Sequence, residues 1–229
     1  MEVITLHFIT YRKVRQRPHN INLHILAAGN NPLSMQVHNY KIYKPYGFIS
    51  QFVNNQSTRK NKKLLGALHS FPEGTMAIGR LDEDSEGLLL LTTCGITSEQ
   101  VRSKHIEKEY YVQLDGRITR QALELLKEGV EIGVGNQKYT TLPAKVCLLK
   151  EQPSLPARAK KIRDERHGPT SWISIVLNEG KFRQIRKMTA VAGFPTLRLV
   201  RIRVGNEVLG EMLPGEVVEV TNFSMEASF

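Results

Sequence analysis

The chain has 229 residues, of which 41% are hydrophobic, enough to bury the core of one large domain. Lys and Arg number 32 against 22 acidic residues, so the formal net charge of +10 favours a polyanionic partner such as nucleic acid. The two cysteines follow no metal-ligand spacing, and no apolar run is long enough to cross a bilayer. Composition thus argues against a zinc site and a membrane helix, and predicts a protein of the reducing cytoplasm.

The chain changes character near residue 38. Residues 1–38 combine basic residues with Pro and Gly and show no sustained apolar period, which predicts a flexible basic extension. From Tyr40 onward aromatic and β-branched residues become frequent, so we expect one folded domain over residues 39–229. Within it, residues 54–63 form a polar, basic loop that could contact RNA or simply face solvent.

Several short strands and few helices are predicted along the folded part. A helix is expected over residues 119–129, with Thr119 as the N-cap, Gly129 at the end, and Ile118, Ala122, Leu125 and Leu126 on an apolar stripe. Recurring strands with occasional helices predict an α+β fold with a mainly antiparallel sheet. The other predicted strands and helices are a strand near residues 40–49, a helix at 97–105, strands at 109–114, 130–134, 144–149, 172–177, 197–204 and 216–220, and a long loop at 153–169.

A basic helix is predicted over residues 181–188. Its apolar stripe contains Phe182, Ile185, Met188 and Ala192, whereas Arg183, Arg186 and Lys187 share another face. Residues 181–203 contain seven Lys or Arg and no acid, so this segment needs a carboxylate or phosphate from elsewhere.

Residues 79–92 read GRLDEDSEGLLLLT, an acidic turn followed directly by four leucines. The leucines belong in a core, which places the charged turn at the mouth of a buried strand. The alternating acids resemble the start of a calcium loop, but position twelve is Thr93 instead of Glu and positions seven to ten are leucines. A pair of glycosidase carboxylates also fits poorly, because one turn does not establish their separation and a basic protein suits a polysaccharide badly.

Two interpretations of the acidic turn remain open. It could be a solvated turn that caps a strand, the usual explanation for an Asp-rich turn. Alternatively, Asp82 could be a catalytic carboxylate that nearby arginines keep ionised as a nucleophile or base. The spacing of the residues alone leaves these two interpretations nearly even.

Five ordered segments together resemble the RsuA-type RNA pseudouridine synthases, over residues 40–221. Segments 169–172 (PTSW) and 193–199 (GFPTLRL) are most similar to members that modify 23S rRNA. The five segments are residues 79–92, already quoted, with 43–47 (YKPYG), 108–112 (KEYYV), 178–188 (NEGKFRQIRKM) and 197–201 (LRLVR).

The resemblance implies the pseudouridine synthase fold and its chemistry. The bond from ribose C1′ to uracil N1 breaks, the base turns over, and C5 bonds to the sugar, with no cofactor or metal. Asp82 would be the essential carboxylate, acting on the sugar or as a base on it. Tyr110 would stack on the flipped uracil, and Arg186 would pair with Asp82.

The same resemblance and the basic charge predict residues that bind RNA. Asp84 and Glu86 are expected to support Asp82. For Lys44 and Lys108 a phosphate contact and a plain surface charge are equally consistent with the sequence. The predicted RNA-binding residues are Arg80, Lys44, Lys108, Lys181, Arg183, Lys187, Leu199 and Arg201.

The chain departs from the family pattern in three places. Many relatives carry an N-terminal S4 domain, but residues 1–38 are too short for one, so RNA docking is expected to rely on the catalytic domain. Phe182 stands where Asn is usual, and Cys94 where Asp is frequent. The predicted partner is ribosomal RNA, most specifically 23S rRNA, bound by a monomer. The alternative is a non-catalytic RNA-binding or ribosome-assembly protein, against which Asp82, Tyr110 and Arg186 argue.

Overall fold

The computed structural model describes residues 36–54, 61–103, 106–163 and 165–225. Nearly all of the predicted N-terminal extension, residues 1–35, lies outside the described residues, and so do residues 55–60 of the predicted basic loop. The extension and the domain boundary after residue 38 therefore stay predictions.

A mixed sheet organises the described residues, and a separate two-stranded hairpin lies beside it. The strands are β1 (Asn39–Lys44), β2 (Met76–Ala77), β3 (Glu86–Thr92), β4 (Lys108–Asp115), β5 (Glu131–Val134), β6 (Gln137–Thr140), β7 (Lys145–Leu148), β8 (Thr170–Leu177), β9 (Thr196–Val204), β10 (Glu207–Val208) and β11 (Val217–Val220). The main sheet has the order β11-β1-β3-β9-β4-β8-β7, with β2 beside β3 and β10 beside β9, while β5 and β6 form the hairpin. Of these pairings only β3 with β9 is parallel. This confirms the predicted α+β fold with a mainly antiparallel mixed sheet.

Among the described residues, three α-helices accompany the sheet: α1 (Gly95–Arg102), α2 (Arg120–Glu128) and α3 (Gln184–Val191). Helix α2 begins as predicted, because the Thr119 hydroxyl accepts a hydrogen bond from the Ala122 amide at 3.2 Å, and Gly129 follows its last residue. None of the described helices combines the length and hydropathy that crossing a membrane requires.

The four leucines of β3 are buried on both faces of the sheet. Leu88 and Leu90 pack into one apolar cluster, and Leu89 and Leu91 into another, because successive side chains of a strand point to opposite faces. All four are at most 1% exposed. The strand is thus anchored from two sides, and the acidic turn that precedes it emerges from a rigid base.

Gly87 joins the acidic turn to β9. It pairs with Arg201 across the parallel strands, and a Cβ atom at Gly87 would lie 2.3 Å from the Arg201 carbonyl oxygen. Its φ of 102° also lies in a region that L-residues rarely adopt. Two segments far apart in the sequence, residues 79–92 and 197–201, are therefore held together by a contact that only glycine allows.

Several details of the sequence prediction differ from the structure. The basic helix begins at Gln184, so Phe182 precedes it and is 70% exposed instead of lying on its apolar stripe. Leu125 of α2 is 42% exposed, because only Ala122 and Leu126 of that helix turn fully inward. Strand β6 was not predicted, since its polar residues, QKYT, show no alternating apolar pattern.

Candidate active site

A cleft of about 750 Å³ opens where the acidic turn meets the segment that leads into α3. Asp82 and Tyr110 both line this cleft. They belong to two separate segments of the sequence that the sheet brings together. Its volume lies in the range of pockets that hold one small ligand. Its lining also includes Arg80, Glu83, Ser85, Glu179, Lys181, Phe182, Arg183, Gln184 and Leu199.

Backbone contacts hold the acidic turn in place above β3. The Ser85 amide donates to the Asp82 carbonyl at 3.1 Å, which closes the turn, and the Gly47 amide donates to the Glu83 carbonyl at 2.8 Å. Beside it, the Ser50 hydroxyl both accepts from the Leu81 amide and donates to the Leu81 carbonyl, each at 2.9 Å. The Asp82 side chain therefore projects from a backbone that is fixed on both sides.

Asp82 is half-buried, and its nearest ionic partner is Arg183. The Arg183 Nη1 lies 3.5 Å from Asp82 Oδ2, and none of the described residues donates a hydrogen bond to this carboxylate. Burial raises the pKa of Asp82, and the positive charge of Arg183 only partly opposes this effect. Desolvation is therefore a larger influence on the pKa of Asp82 than the nearby arginines, which oppose it and favour the ionised form.

Arg186 pairs with Asp84, not with Asp82 as the resemblance implied. Its Nη2 donates to the Asp84 carbonyl at 2.8 Å, and its Nε lies 3.5 Å from Asp84 Oδ2. Burial lowers the pKa of Arg186 despite the nearby carboxylates. The Arg186 guanidinium therefore stabilises the backbone of the turn at Asp84, two residues after the predicted partner Asp82.

Asp84 is bound by two arginines. The Nη1 and Nη2 of Arg183 donate to its Oδ1 and Oδ2, both at 2.9 Å, in a bidentate pair. Burial alone would raise the pKa of Asp84, but the hydrogen bonds from Arg183 and the charge of Arg186 together lower it. Asp84 is thus a fixed anion that holds Arg183 against Asp82, in keeping with its predicted supporting role.

Glu86 forms a buried ion pair that the sequence analysis did not identify. Arg198 donates from Nε and Nη2 to the two Glu86 oxygens at 3.0 and 2.9 Å, and both residues are at most 6% exposed. The only sequence signal for this pair was the absence of acids among the basic residues around Arg198.

The structure contradicts two of the predicted RNA-binding residues. Lys44 is fully buried, and its Nζ donates to the carbonyls of Pro45 and Phe48 at 3.0 and 2.6 Å. Burial lowers the pKa of Lys44 to about 7, although the acidic turn nearby opposes the shift. Arg201 is 5% exposed and donates to the Leu88 carbonyl at 2.7 Å. Neither side chain reaches the surface that a phosphate would contact, because both support strands of the sheet.

The remaining predicted RNA-binding residues have different surroundings. Arg80 and Lys181 are exposed and line the cleft, and Leu199, although buried, reaches its wall. Lys108 does not line the cleft, and burial, together with the charge of Arg201, lowers its pKa to about 8. Lys187 donates to the Gly133 carbonyl at 2.6 Å.

Glu179 and Gln184 organise the far wall of the cleft and were missed by the sequence analysis. Glu179 accepts hydrogen bonds from the Tyr139 hydroxyl at 2.5 Å and from Gln184 Nε2 at 2.7 Å. Gln184 in turn accepts from the Lys181 amide at 2.9 Å. The turn at residues 178–180 offered no signal for the hydrogen bond to Tyr139, because Tyr139 lies on the β5–β6 hairpin, remote from the turn in the sequence.

Comparison with known proteins identifies the family. A sequence model described as RNA pseudouridylate synthase matches residues 38–191. The chain is 41% identical over 180 residues to ribosomal large subunit pseudouridine synthase E of Vibrio parahaemolyticus, covering 77% of this chain and 71% of the relative. It is 38% identical over 173 residues to the protein of the same name from Xanthomonas axonopodis pv. citri, covering 75% and 87%.

A solved structure supports the same assignment. The crystal structure of a pseudouridylate synthase superposes on this chain with a TM-score of 0.62 at 25% identity, covering 81% of this chain and 70% of that one. Ribosomal large subunit pseudouridine synthase B of Bacillus subtilis is 28% identical over 184 residues, so the similarity to the synthase E proteins is the higher of the two. The resemblance deduced from the sequence is confirmed. The chain belongs to the RNA pseudouridylate synthase family.

Proposed function

We propose that this protein isomerises a uridine of ribosomal RNA, specifically of 23S rRNA, to pseudouridine through Asp82. One observation carries the proposal. The Asp82 carboxylate lines the cleft and accepts no hydrogen bond from the described residues, whereas Asp84 beside it is bound bidentately by Arg183. Asp82 is therefore the acid of the turn whose oxygens are free to meet a substrate.

The cleft geometry supports this chemistry step by step. A uridine must leave its stack to reach Asp82, and Tyr110, on the cleft wall, offers a ring on which the base can stack. Arg183 lies 3.5 Å from Asp82 and favours its anionic form. The anion acts on the ribose or removes a proton from it, the C1′–N1 bond breaks, and C1′ bonds to C5. The proton lost from C5 is balanced by one gained at N1, so the reaction is a net isomerisation.

Ribosomal RNA as substrate is supported by the relatives. The proteins at 38–41% identity are named ribosomal large subunit pseudouridine synthase E. Exposed Arg80 and Lys181 at the cleft supply positive charge for the phosphates of such a polyanion.

We also propose that the protein acts as a monomer in the cytoplasm. Asp82, Tyr110 and Arg183 already meet in one cleft within a single chain, so the proposed chemistry calls for no residue of a second copy. Cys94 and Cys147 are free thiols, which suits a reducing compartment. Sedimentation equilibrium measures the oligomeric state, and a dimer at micromolar concentration would contradict this part of the proposal.

The decisive test replaces Asp82 by Asn. RNA labelled with tritium at uridine C5 releases the label when pseudouridine forms, so wild-type protein should release tritium from 23S rRNA transcripts and Asp82→Asn should release none. Glu83→Gln is the matched control, because Glu83 is the neighbouring carboxylate and pairs with Lys62, and it should keep most of the activity. If the wild-type protein binds the transcript but releases no tritium, the proposed enzymatic activity is wrong. Release from 16S but not 23S transcripts would overturn the proposed substrate.

A further inference from the structure

Phe182 is an aromatic side chain left in solvent at the edge of the active-site cleft. It is 70% exposed and lines the same cleft as Asp82 and Tyr110. A phenyl ring gains from burial against another surface, so its exposure leaves that contact unused. The proposed mechanism gives this ring no task.

A constrained turn holds Phe182 outside the helix that follows it. Arg183 adopts φ 53° and ψ 34°, and it is the only non-glycine residue with positive φ among those described. The Lys181 amide donates to Gln184 Oε1 at 2.9 Å, and the Gln184 amide donates to the Lys181 carbonyl at 3.1 Å. Gln184 is 4% exposed, and Arg183 is clamped to Asp84. Phe182 therefore sits on a turn fixed at both ends, which lowers the entropy that binding through its ring would cost.

The surroundings of the ring favour a nucleobase over an apolar protein surface. Its chain neighbours Lys181 and Arg183 are cationic, and Lys187 Nζ lies 5.2 Å from the ring centroid. Arg80 adds a further cation to the same cleft. Aromatic rings among cations form the usual platform for unpaired nucleotides, because the ring stacks on the base while the cations meet the phosphates.

From this geometry we infer that Phe182 stacks on a nucleobase adjacent to the target uridine. This inference rests on the proposed function. It adds Phe182 to Tyr110 as a second side chain that binds a base. When the uridine leaves its stack, a neighbouring base loses a stacking partner as well. A ring at the edge of the cleft replaces that partner and positions the RNA strand for reaction at Asp82.

The first test compares Phe182→Leu and Phe182→Tyr with wild type, using 23S rRNA transcripts. Phe182→Leu keeps an apolar side chain but cannot stack, so Kd and KM should rise about tenfold while kcat changes by less than about twofold. Phe182→Tyr should restore both constants. The slope of log Kd against log salt should not change in Phe182→Leu, because no phosphate contact is lost. Ile96→Ala is the control, since Ile96 is also 70% exposed but does not line the cleft.

The second test places a fluorophore at the proposed stacking position. The chain has one tryptophan, Trp172, which is 6% exposed, so Phe182→Trp adds an exposed emitter that base stacking should quench when the 23S transcript binds. Ile96→Trp should not be quenched. Unchanged Kd in Phe182→Leu, or equal signals from the two tryptophan variants, would overturn the stacking role.

The outcomes separate this inference from the proposed function. If wild type releases tritium and Phe182→Leu behaves like wild type, only the stacking role is wrong. If wild type releases no tritium from any RNA, the proposed function is wrong, whatever the binding of Phe182→Leu.

Discussion

The acidic turn has a cleft side and a buried side, and its carboxylates differ accordingly. On the cleft side, Asp82 has one ionic partner at 3.5 Å and accepts no hydrogen bond from the described residues. On the buried side, Glu86 is 1% exposed and is held by two hydrogen bonds from Arg198. Asp84, between them, is clamped by Arg183.

The comparison shows how one short segment separates structural from reactive acids. A carboxylate whose oxygens are all occupied by arginine is locked in place and contributes to the sheet. A carboxylate that is desolvated but incompletely paired keeps a raised pKa and free oxygens. Asp82, Asp84 and Glu86 lie within five residues of one another, so their roles differ because Asp84 and Glu86 each accept two hydrogen bonds from an arginine and Asp82 accepts none from the described residues.

The largest effect on stability is expected from breaking the buried side of the turn. Glu86→Gln leaves the Arg198 guanidinium buried without its counter-charge, which should lower the free energy of unfolding by about 3–5 kcal/mol in urea denaturation. Replacing both partners, Glu86→Leu with Arg198→Met, should recover most of that loss. Equal stability of Glu86→Gln and wild type would mean that Arg198 finds another partner.

The next effect is a dependence of stability on pH caused by Lys44. Its pKa is about 7 in the folded protein, below the ordinary lysine value, so the unfolded chain binds the extra proton. The unfolding free energy should therefore fall as pH decreases from 9 to 7, by at most about 1.4 kcal/mol per pH unit, and level off below 7. Lys44→Met should remove this contribution. A difference between the two proteins that is constant across this range would show that Lys44 stays charged.

Arg183 should control the pH dependence of catalysis. Because its charge opposes the rise in the pKa of Asp82, Arg183→Met should raise that pKa further. The rate falls when Asp82 is protonated, so the acidic limb of the kcat profile should move to higher pH. Arg186→Met is the matched comparison, and it should move the limb less, because Arg186 contacts Asp84. If the acidic limb moves further in Arg186→Met than in Arg183→Met, Arg186 is the main partner of Asp82, as the resemblance implied.

The smallest effect on stability is expected at Asp82 itself. Asp82→Asn removes a charge that is desolvated and weakly paired, so the unfolding free energy should change by less than about 1 kcal/mol, even though activity is lost. Urea denaturation of this variant beside Glu86→Gln compares the two sides of the turn directly. A loss above about 3 kcal/mol for Asp82→Asn would make it a structural acid like Glu86.

Much of the fold could be predicted because its signals are local. The four leucines of β3, the cap at Thr119 and the alternation in β8 each depend on neighbours in the chain. Strand β6 lacked such a signal. The start of α3 was misplaced because Phe182 continues an apolar period that the left-handed conformation of Arg183 interrupts.

In the active site, too, some features could be predicted from the sequence and others could not. By themselves, the residues at 79–92 left a catalytic Asp82 and a solvated turn nearly even, and the resemblance across five segments selected the first. Neither the residues nor the resemblance could identify the arginine that contacts Asp82. Residue 82 and residues 183–186 meet only when the sheet and the helix pack, and Arg183 and Arg186 are only three residues apart. The burial of Lys44 and Arg201 could not be predicted either, because a sequence pattern shows that a residue is charged but not how far it lies from the surface.

The sequence by itself determined the family, the buried strand that carries the acidic turn, and Asp82 and Tyr110 as candidate residues, because ordered motifs and hydrophobic runs are properties of the chain. Only the tertiary structure decided that Arg183 contacts Asp82, that Arg186 and Arg198 bind Asp84 and Glu86, and that Phe182 faces the cleft. The physical reason is that ion pairing and desolvation fall off within a few ångströms, and distances of that size between remote segments exist only after the chain has folded.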